Sequence, residues 1–337
     1  MDRRTIESMH RASVRAAGFV VVALAGAACG DDGPPIAPDA SALDAFQPPW
    51  WTPHPGQTKN YDIQLAAPFD VSAPRVMYEL DLWDVASATM IDYGDADPVT
   101  VPAGPLAGKV AELHARVPRP IVICHIDTGA IALDDPDARK FPGFEATPPD
   151  RPTVPKAGSV IGWSTFDPDK RFLDIRATKT ALWAAVMVKR FELADTLGCD
   201  AIDGDYNDQV AQDTGFDAAP PTKGPSGDDV TAWFTRVGTE AHMREISAGQ
   251  RNANLLTPGL VDLFDWMLIE RCGEFDDCDT ARPYIDQNKT VFAVDYLPDA
   301  NGGVDLAIAC SRYPHALIEE GLHKDAALTS AYRMECP

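Results

Sequence analysis

Positive charge is scarce in this sequence: 29 Lys and Arg stand against 51 Asp and Glu, a formal net charge of −22 with a pI near 4.5. That balance argues against a nucleic acid partner, because a phosphate backbone is held through clustered cations. A neutral or cationic ligand is easier to accommodate. Paired Cys/His spacings of the kind a zinc site needs are missing, and the seven histidines are scattered, so no metal is expected. No Gly-x-Gly-x-x-Gly follows the first strand pattern and no phosphate loop occurs, which removes the reason to expect a nucleotide or any other cofactor. The apolar run Ala16 to Ala28 is too short to span a bilayer.

That run does suit an export signal, since Arg3, Arg4, Arg11 and Arg15 precede it. Its end, Gly26-Ala27-Ala28-Cys29 before Gly30-Asp31-Asp32, resembles a bacterial lipoprotein signal in which Cys29 is lipidated and becomes the first mature residue. Gly26 departs from the usual leucine, and ordinary secretion with cleavage near Ala28 is the alternative. On this reading residues 1–28 are a signal peptide and 29–49, rich in Pro, Ala, Asp and Ser, a flexible linker. The folded part is 50–337, expected as a monomer whose only membrane link is a lipid at Cys29. Export makes disulfides permissible. Six cysteines remain, and local spacing favours Cys272 with Cys278, then Cys310 with Cys336. Cys124 and Cys199 sit in apolar strand patterns and read as buried free thiols.

With 45% hydrophobic residues the chain can bury a sizeable core. Strand patterns appear at Tyr61 to Leu65, Arg75 to Asp84, Pro120 to Ile126, Cys199 to Ile202, Glu245 to Asn252, Phe264 to Glu270, Thr290 to Tyr296 and Ala316 to Glu320. Helix patterns lie between them: Gly108 to Arg116, an amphipathic Thr178 to Leu197, and Val230 to Arg244 capped by Asp228 and Asp229. Asp92 to Pro105 reads as an exposed insertion, Asp134 to Gly158 and Gly215 to Gly227 as loops. Alternating strands and helices over this length predict an α/β fold, a closed (β/α)8 TIM barrel, with a doubly wound open sheet as runner-up.

In such a barrel the chemistry sits where the strands exit at the C-terminal rim. Asp81, Asp84, Asp127, Asp203, Asp205, Asn252, Glu270 and Asp295 all fall at such exits. The stretch Asp200 to Asn207 is the densest. On an extended strand Asp203 and Asp205 point the same way, and like charges on one face are kept mainly where they work. The spacing of Asp203, Asp205 and Asn207 lacks the 12-residue calcium-loop pattern. Carboxylates at several strand ends, with Trp50, Trp51, Trp83, Tyr206 and Tyr296 near in sequence, suit a polysaccharide groove in which two carboxyls cleave a glycosidic bond.

The blocks resemble those of the endo-α-1,4-polygalactosaminidases of glycoside hydrolase family 114. Glu79 to Asp84 resembles the family's second-strand Asp block, and Val122-Ile123-Cys124 with Gly129 its "VICY…AGS" strand. Phe172 to Arg176 is close to "WLDIR", Gly198 to Asp205 to "GCDGVEPDN", Glu270-Arg271-Cys272 with Asp277-Cys278 to "NEQC…EC", and Val291 to Tyr296 to "VF..EY". The resemblance implies a TIM barrel acting on an α-1,4-linked galactosamine or N-acetylgalactosamine polymer by two carboxylates, with no metal. It implies Asp205 as nucleophile and Glu270 as general acid/base, a retaining pair. Asp81, Asp84, Asp127, Asp203, Tyr206, Asn252, Asp295 and Tyr296 are the expected substrate contacts. Glu270 lies in a hydrophobic strand pattern, where desolvation would raise its pKa, while Asp205 among polar neighbours would stay ionised. This sequence departs from the family at Asp203, Tyr206 and Arg271, and His125, Ile126 and Asp127 replace "YFS". The competing expectation, from another class, is a carbohydrate-binding barrel that turns nothing over.

Overall fold

The computed structural model describes residues 48–147, 158–163, 167–210, 212–216, 224–300, 302–313 and 320–336. The signal peptide and nearly all of the linker expected from sequence lie outside them. The described strands are β1 (Tyr61–Gln64), β2 (Met77–Asp81), β3 (Thr89–Ile91), β4 (Val99–Val101), β5 (Ile121–Asp127), β6 (Ala130–Ala132), β7 (Lys170–Phe172), β8 (Ala201–Asp205), β9 (Ser247–Arg251), β10 (Trp266–Glu270), β11 (Val291–Tyr296), β12 (Glu320–Lys324) and β13 (Arg333–Glu335).

Eight of them run parallel in the order β1-β2-β5-β8-β9-β10-β11-β12, and β13 pairs antiparallel with β12. The sheet curls into a nearly closed barrel. At the seam Leu65 N–H donates to Leu328 O at 2.9 Å, Lys324 Nζ reaches Asp62 Oδ1 at 2.9 Å, and Arg333 Nε reaches the Tyr61 carbonyl at 3.0 Å. The two-residue alternation of each strand sorts its side chains. Tyr78, Leu80, Val122, Cys124, Ile126, Ile202, Met267 and Ile269 pack outward against the helices, including Ala184–Leu197 and Gly227–His242. Tyr61, Ile63, Met77, Ile123, Ala201, Trp266, Leu268 and Phe292 fill the lower lumen. Gly249 belongs to the lumen face of β9, where a Cβ would come within 2.2 Å of the Trp266 ring. Only glycine leaves room there for the indole to close the floor.

Several expectations are corrected. Cys124 and Cys199 are bonded to each other, as are the expected Cys272–Cys278 and Cys310–Cys336. β5 pairs with β8, and Cys199 sits in the turn just before β8, which brings two cysteines 75 residues apart to a Cα separation of 5.8 Å. The Thr178 to Leu197 pattern breaks into Ala177–Thr180 and Ala184–Leu197, with Trp183 buried and Leu182 exposed. Ser226, rather than Asp228 or Asp229, caps Gly227–His242, and Asp229 completes a capping box with it. The Asp92 to Pro105 segment contains half of the β3–β4 hairpin and buries Val99 and Val101. Of the last expected strand, 316–319 lie outside the described residues, and the strand itself is β12 at Glu320–Lys324.

Candidate active site

Going up the lumen, the residues change from hydrocarbon to charge. In register above the apolar floor come Glu79 and Asp81 on β2, His125 and Asp127 on β5, Asp203 and Asp205 on β8, Arg251 on β9 and Glu270 on β10. Arg251, absent from the expected site, is their hub. Its Nη1 donates to Asp203 Oδ2 and to Glu79 Oε1 (3.1 Å), its Nη2 to Glu270 Oε1 (2.8 Å), and its Nε lies 3.0 Å from Glu270 Oε2 and 3.3 Å from Asp205 Oδ2. One buried guanidinium thus meets four carboxyls. A planar fork of five donors is the side chain that can do so.

Asp205 is flanked on its other side by His125. The imidazole Nε2 stands 3.4 Å from Asp205 Oδ2 and its Nδ1 3.3 Å from Asp81 Oδ2, with Asp127 Oδ1 at 3.8 Å. A neutral imidazole has one N–H; both nitrogens face acceptors here, so the ring serves both only as the cation. Burial opposes that charge, but the hydrogen bonds to Asp205 and Asp81 and the charge of Asp127 raise the pKa of His125 well above its ordinary value. Burial likewise opposes ionisation of Asp205, yet Arg251, the bond from His125 and the charge of Lys170 hold its carboxyl well below the usual range. The Asp205 side chain keeps 20% of its surface and that of Glu270 18%, so both are reachable from the rim.

Glu270 is not surrounded by hydrocarbon as its strand pattern suggested. Besides Arg251, Asn252 Nδ2 donates to its Oε2 at 2.7 Å and the Tyr296 hydroxyl donates to its Oε1, while its own N–H is held by Asn252 Oδ1 at 2.9 Å. Tyr206, Asn252 and Arg271, the residues immediately after β8, β9 and β10, all have left-handed backbones, with φ of 61°, 52° and 61°. For non-glycine residues that conformation costs about 1–3 kcal/mol each and gathers at functional sites. The turn after Asp205 is pinned by the N–H groups of Thr128 and Gly129, which donate to its carbonyl. Gly129 approaches so closely that a Cβ would lie 2.1 Å from the Tyr206 carbonyl.

The other expected site residues divide. Asp127 joins the cluster through Lys170, which reaches from β7 to its oxygens at 2.8 and 3.0 Å and lies over the Tyr206 ring at 4.7 Å. Asp81 joins through His125 and also holds Trp83 N–H. Asp203 is fully buried beneath Asp205, out of reach of a ligand at the rim. Asp84 enters the short helix Leu82–Val85 and makes no hydrogen bond or ion pair with the cluster among the described residues; burial and the Asp81 charge push its carboxyl up to about 6. Asp295 points out of the lumen, because its position on β11 has the opposite parity to Val294 and Tyr296. It accepts from the N–H groups of Gly273 and Glu274, both at 2.9 Å, and from the Tyr313 hydroxyl. His125, Asp127 and Asp205 each bring one possible ligand atom within 4.8 Å of the others, and their side chains are also paired with one another and with Lys170 and Arg251.

Glu79, His125, Lys170 and Arg251 were missed from sequence. For Arg251 a signal existed, since Ser247, Gly249 and Arg251 share the parity that Asp203 and Asp205 show on β8.

The family model for glycoside-hydrolase family GH114 matches residues 40–335. No curated protein matches the chain. Among solved structures, Aspergillus fumigatus Ega3, in complex with galactosamine, superposes with a TM-score of 0.61 at 22% identity, covering 85% of this chain and 97% of that one. The Thermus thermophilus α-galactosidase TtGalA gives a TM-score of 0.43 at 13% identity, over 82% of this chain and 59% of its own. The α-N-acetylgalactosaminidase NagBb of Bifidobacterium bifidum gives 0.40 at 12%, over 81% and 49%. At these identities only the Ega3 likeness carries weight, and it speaks to the fold.

Proposed function

Because this chain belongs to glycoside-hydrolase family GH114, we propose that it hydrolyses α-1,4-linked galactosamine or N-acetylgalactosamine polymers, with Asp205 as nucleophile and Glu270 as general acid/base. The observation that carries this reading is the sharing of Arg251 Nε by the two carboxylates, at 3.3 and 3.0 Å. Both carboxyls are thus drawn to one nitrogen, on the same side of the cleft and within reach of one sugar linkage. Double displacement is the course that the family resemblance favours. Asp205, held ionised, attacks the anomeric carbon while Glu270 protonates the leaving oxygen; water then releases the sugar with Glu270 as base. The galactosamine bound to Ega3 and the net charge of −22, which attracts a polymer of free amines, support the substrate.

One observation favours a second reading. A resting acid ringed by a guanidinium, an amide and a phenol is also what a barrel that binds sugar without cleaving it would keep. Incubation with galactosaminogalactan and a reducing-end assay separates the two: new ends support hydrolysis, and retention of the polymer on the protein without new ends supports binding alone. Proton NMR of the first product anomer tests retention.

The same proposal extends to location. An export signal over residues 1–28 with a lipid at Cys29 agrees with three disulfides, which persist in oxidising compartments. Mass spectrometry of the mature N-terminus distinguishes an acylated Cys29 from plain cleavage near Ala28.

A further inference from the structure

Beneath Asp205 and Glu270 lies a second pair of carboxyls that the reaction does not touch. Glu79 on β2 and Asp203 on β8 are both fully buried. One nitrogen, Arg251 Nη1, donates to an oxygen of each. Their other oxygens, Glu79 Oε2 and Asp203 Oδ1, are buried with no donor among the described residues, although the two side chains stand within hydrogen-bonding reach of each other. With both ionised, two like charges and two unsatisfied acceptors would share the driest part of the charged lumen. An unsatisfied buried acceptor costs about 1–3 kcal/mol, and more when charged. A single proton relieves both problems, since a protonated Glu79 carboxyl can donate to Asp203.

The surrounding charges point the same way. The groups facing the pair from neighbouring strands are Arg251, His125 and Asp205. Among the described residues, Glu79, Asp81, Asp127, Asp203, Asp205 and Glu270 across the upper lumen are balanced by Arg251, Lys170 and the His125 cation alone. Arg251 already divides itself among four carboxyls, so it cannot neutralise this pair alone. Burial first, and then the Asp203 charge, push the Glu79 carboxyl well above its ordinary range.

We propose that Glu79 and Asp203 hold one proton between them at neutral pH and act as positioning residues, fixing Arg251 Nη1 so that Nε and Nη2 stay aimed at Asp205 and Glu270. The proton-sharing part is independent of the proposed hydrolase reading; the positioning part rests on it. If Arg251 is free to tilt, the two reacting carboxyls lose their common anchor.

The test is infrared difference spectroscopy of the full chain at pH 7, in water and in deuterium oxide, on the wild type and on Glu79→Gln. A protonated-carboxyl carbonyl band that shifts with deuterium and is lost in Glu79→Gln is expected; no such band overturns the shared proton. Glutamine copies the shape and donor of the protonated acid, so Glu79→Gln should fold and keep kcat within about threefold, whereas Glu79→Leu should lose ~10–100-fold in kcat with little change in KM. A Glu79→Gln that fails to fold, or that is as impaired as Glu79→Leu, overturns the proposal. Should the wild type cleave no galactosamine polymer, the hydrolase reading and the positioning part fail together, while the infrared band still decides whether the proton is shared.

Discussion

The lower and upper halves of the barrel lumen are built on the same strands and obey opposite rules. Below, Met77, Ile123, Ala201, Trp266, Leu268 and Phe292 interlock as hydrocarbon. Two residues further along those strands, Glu79, His125, Asp203 and Glu270 belong to an ion network around Arg251. The lower half gains from every atom removed from water. The upper half pays desolvation for each charge and is tolerable only while its pairing is complete. What this teaches is that the floor supplies rigidity and the layer above it supplies poised charge, so damage to the two should read out in different observables.

The sharpest break between the halves is Asp205→Asn, which leaves the floor intact. Turnover should fall by about 10³-fold or more, measured as reducing ends, with a lowered thermal midpoint because Arg251 and His125 lose an anionic partner; unchanged turnover would show that Asp205 has been given the wrong role. Arg251→Leu comes next, because it strands four carboxyls at once. A loss of ~3–5 kcal/mol is expected in denaturant unfolding, together with loss of activity. Leu268→Ala in the floor should cost ~2–5 kcal/mol of stability while kcat/KM of the folded fraction holds, and a large fall in kcat/KM would show that the halves are not separable.

The smallest effect expected is in pH dependence. His125 has a raised folded-state pKa, so its contribution is complete below the ordinary histidine value of about 6.5 and is lost as pH rises through the folded-state value. Asp205 is depressed, so its contribution is present above the ordinary aspartate value of about 3.9 and is lost only as pH falls through the folded-state value. In His125→Gln the alkaline decline in unfolding free energy should flatten, and the acid limb of kcat/KM should move to higher pH, because Asp205 loses a cation. An acid limb identical to the wild type would remove His125 from the electrostatic environment of Asp205.

Much of this was legible in the residues. The alternation of strand and helix patterns pointed to a barrel, and β5, β8, β10 and β11 lie close to where their patterns placed them. The place of Asp205 and Glu270 at the rim was readable because each ends an apolar strand. Arg251 offered strand parity as its one signal, and an arginine at a strand end is ordinary until the lumen shows how many acids converge on it. Glu270 illustrates the converse error. Its neighbours in sequence are apolar, yet strand parity turns those toward the helices or the floor, and its neighbours in space are donors from β9 and β11. Asp295 looked equivalent to Asp205 at a strand exit, but its parity sends it outward to the backbone of Cys272–Phe275.

The sequence by itself determined the strand periodicities, the excess of acid and the two carboxylates at strand ends, because these follow from local order along the chain. Tertiary structure alone decided which carboxyls share a cation, which cysteines meet and which acids face the lumen. Those outcomes depend on residues 19 to 172 positions apart being brought together by strand register around the barrel, as the reach of Arg251 to Glu270 and to Glu79 shows. Electrostatic energy is set by distance and burial rather than by position along the chain.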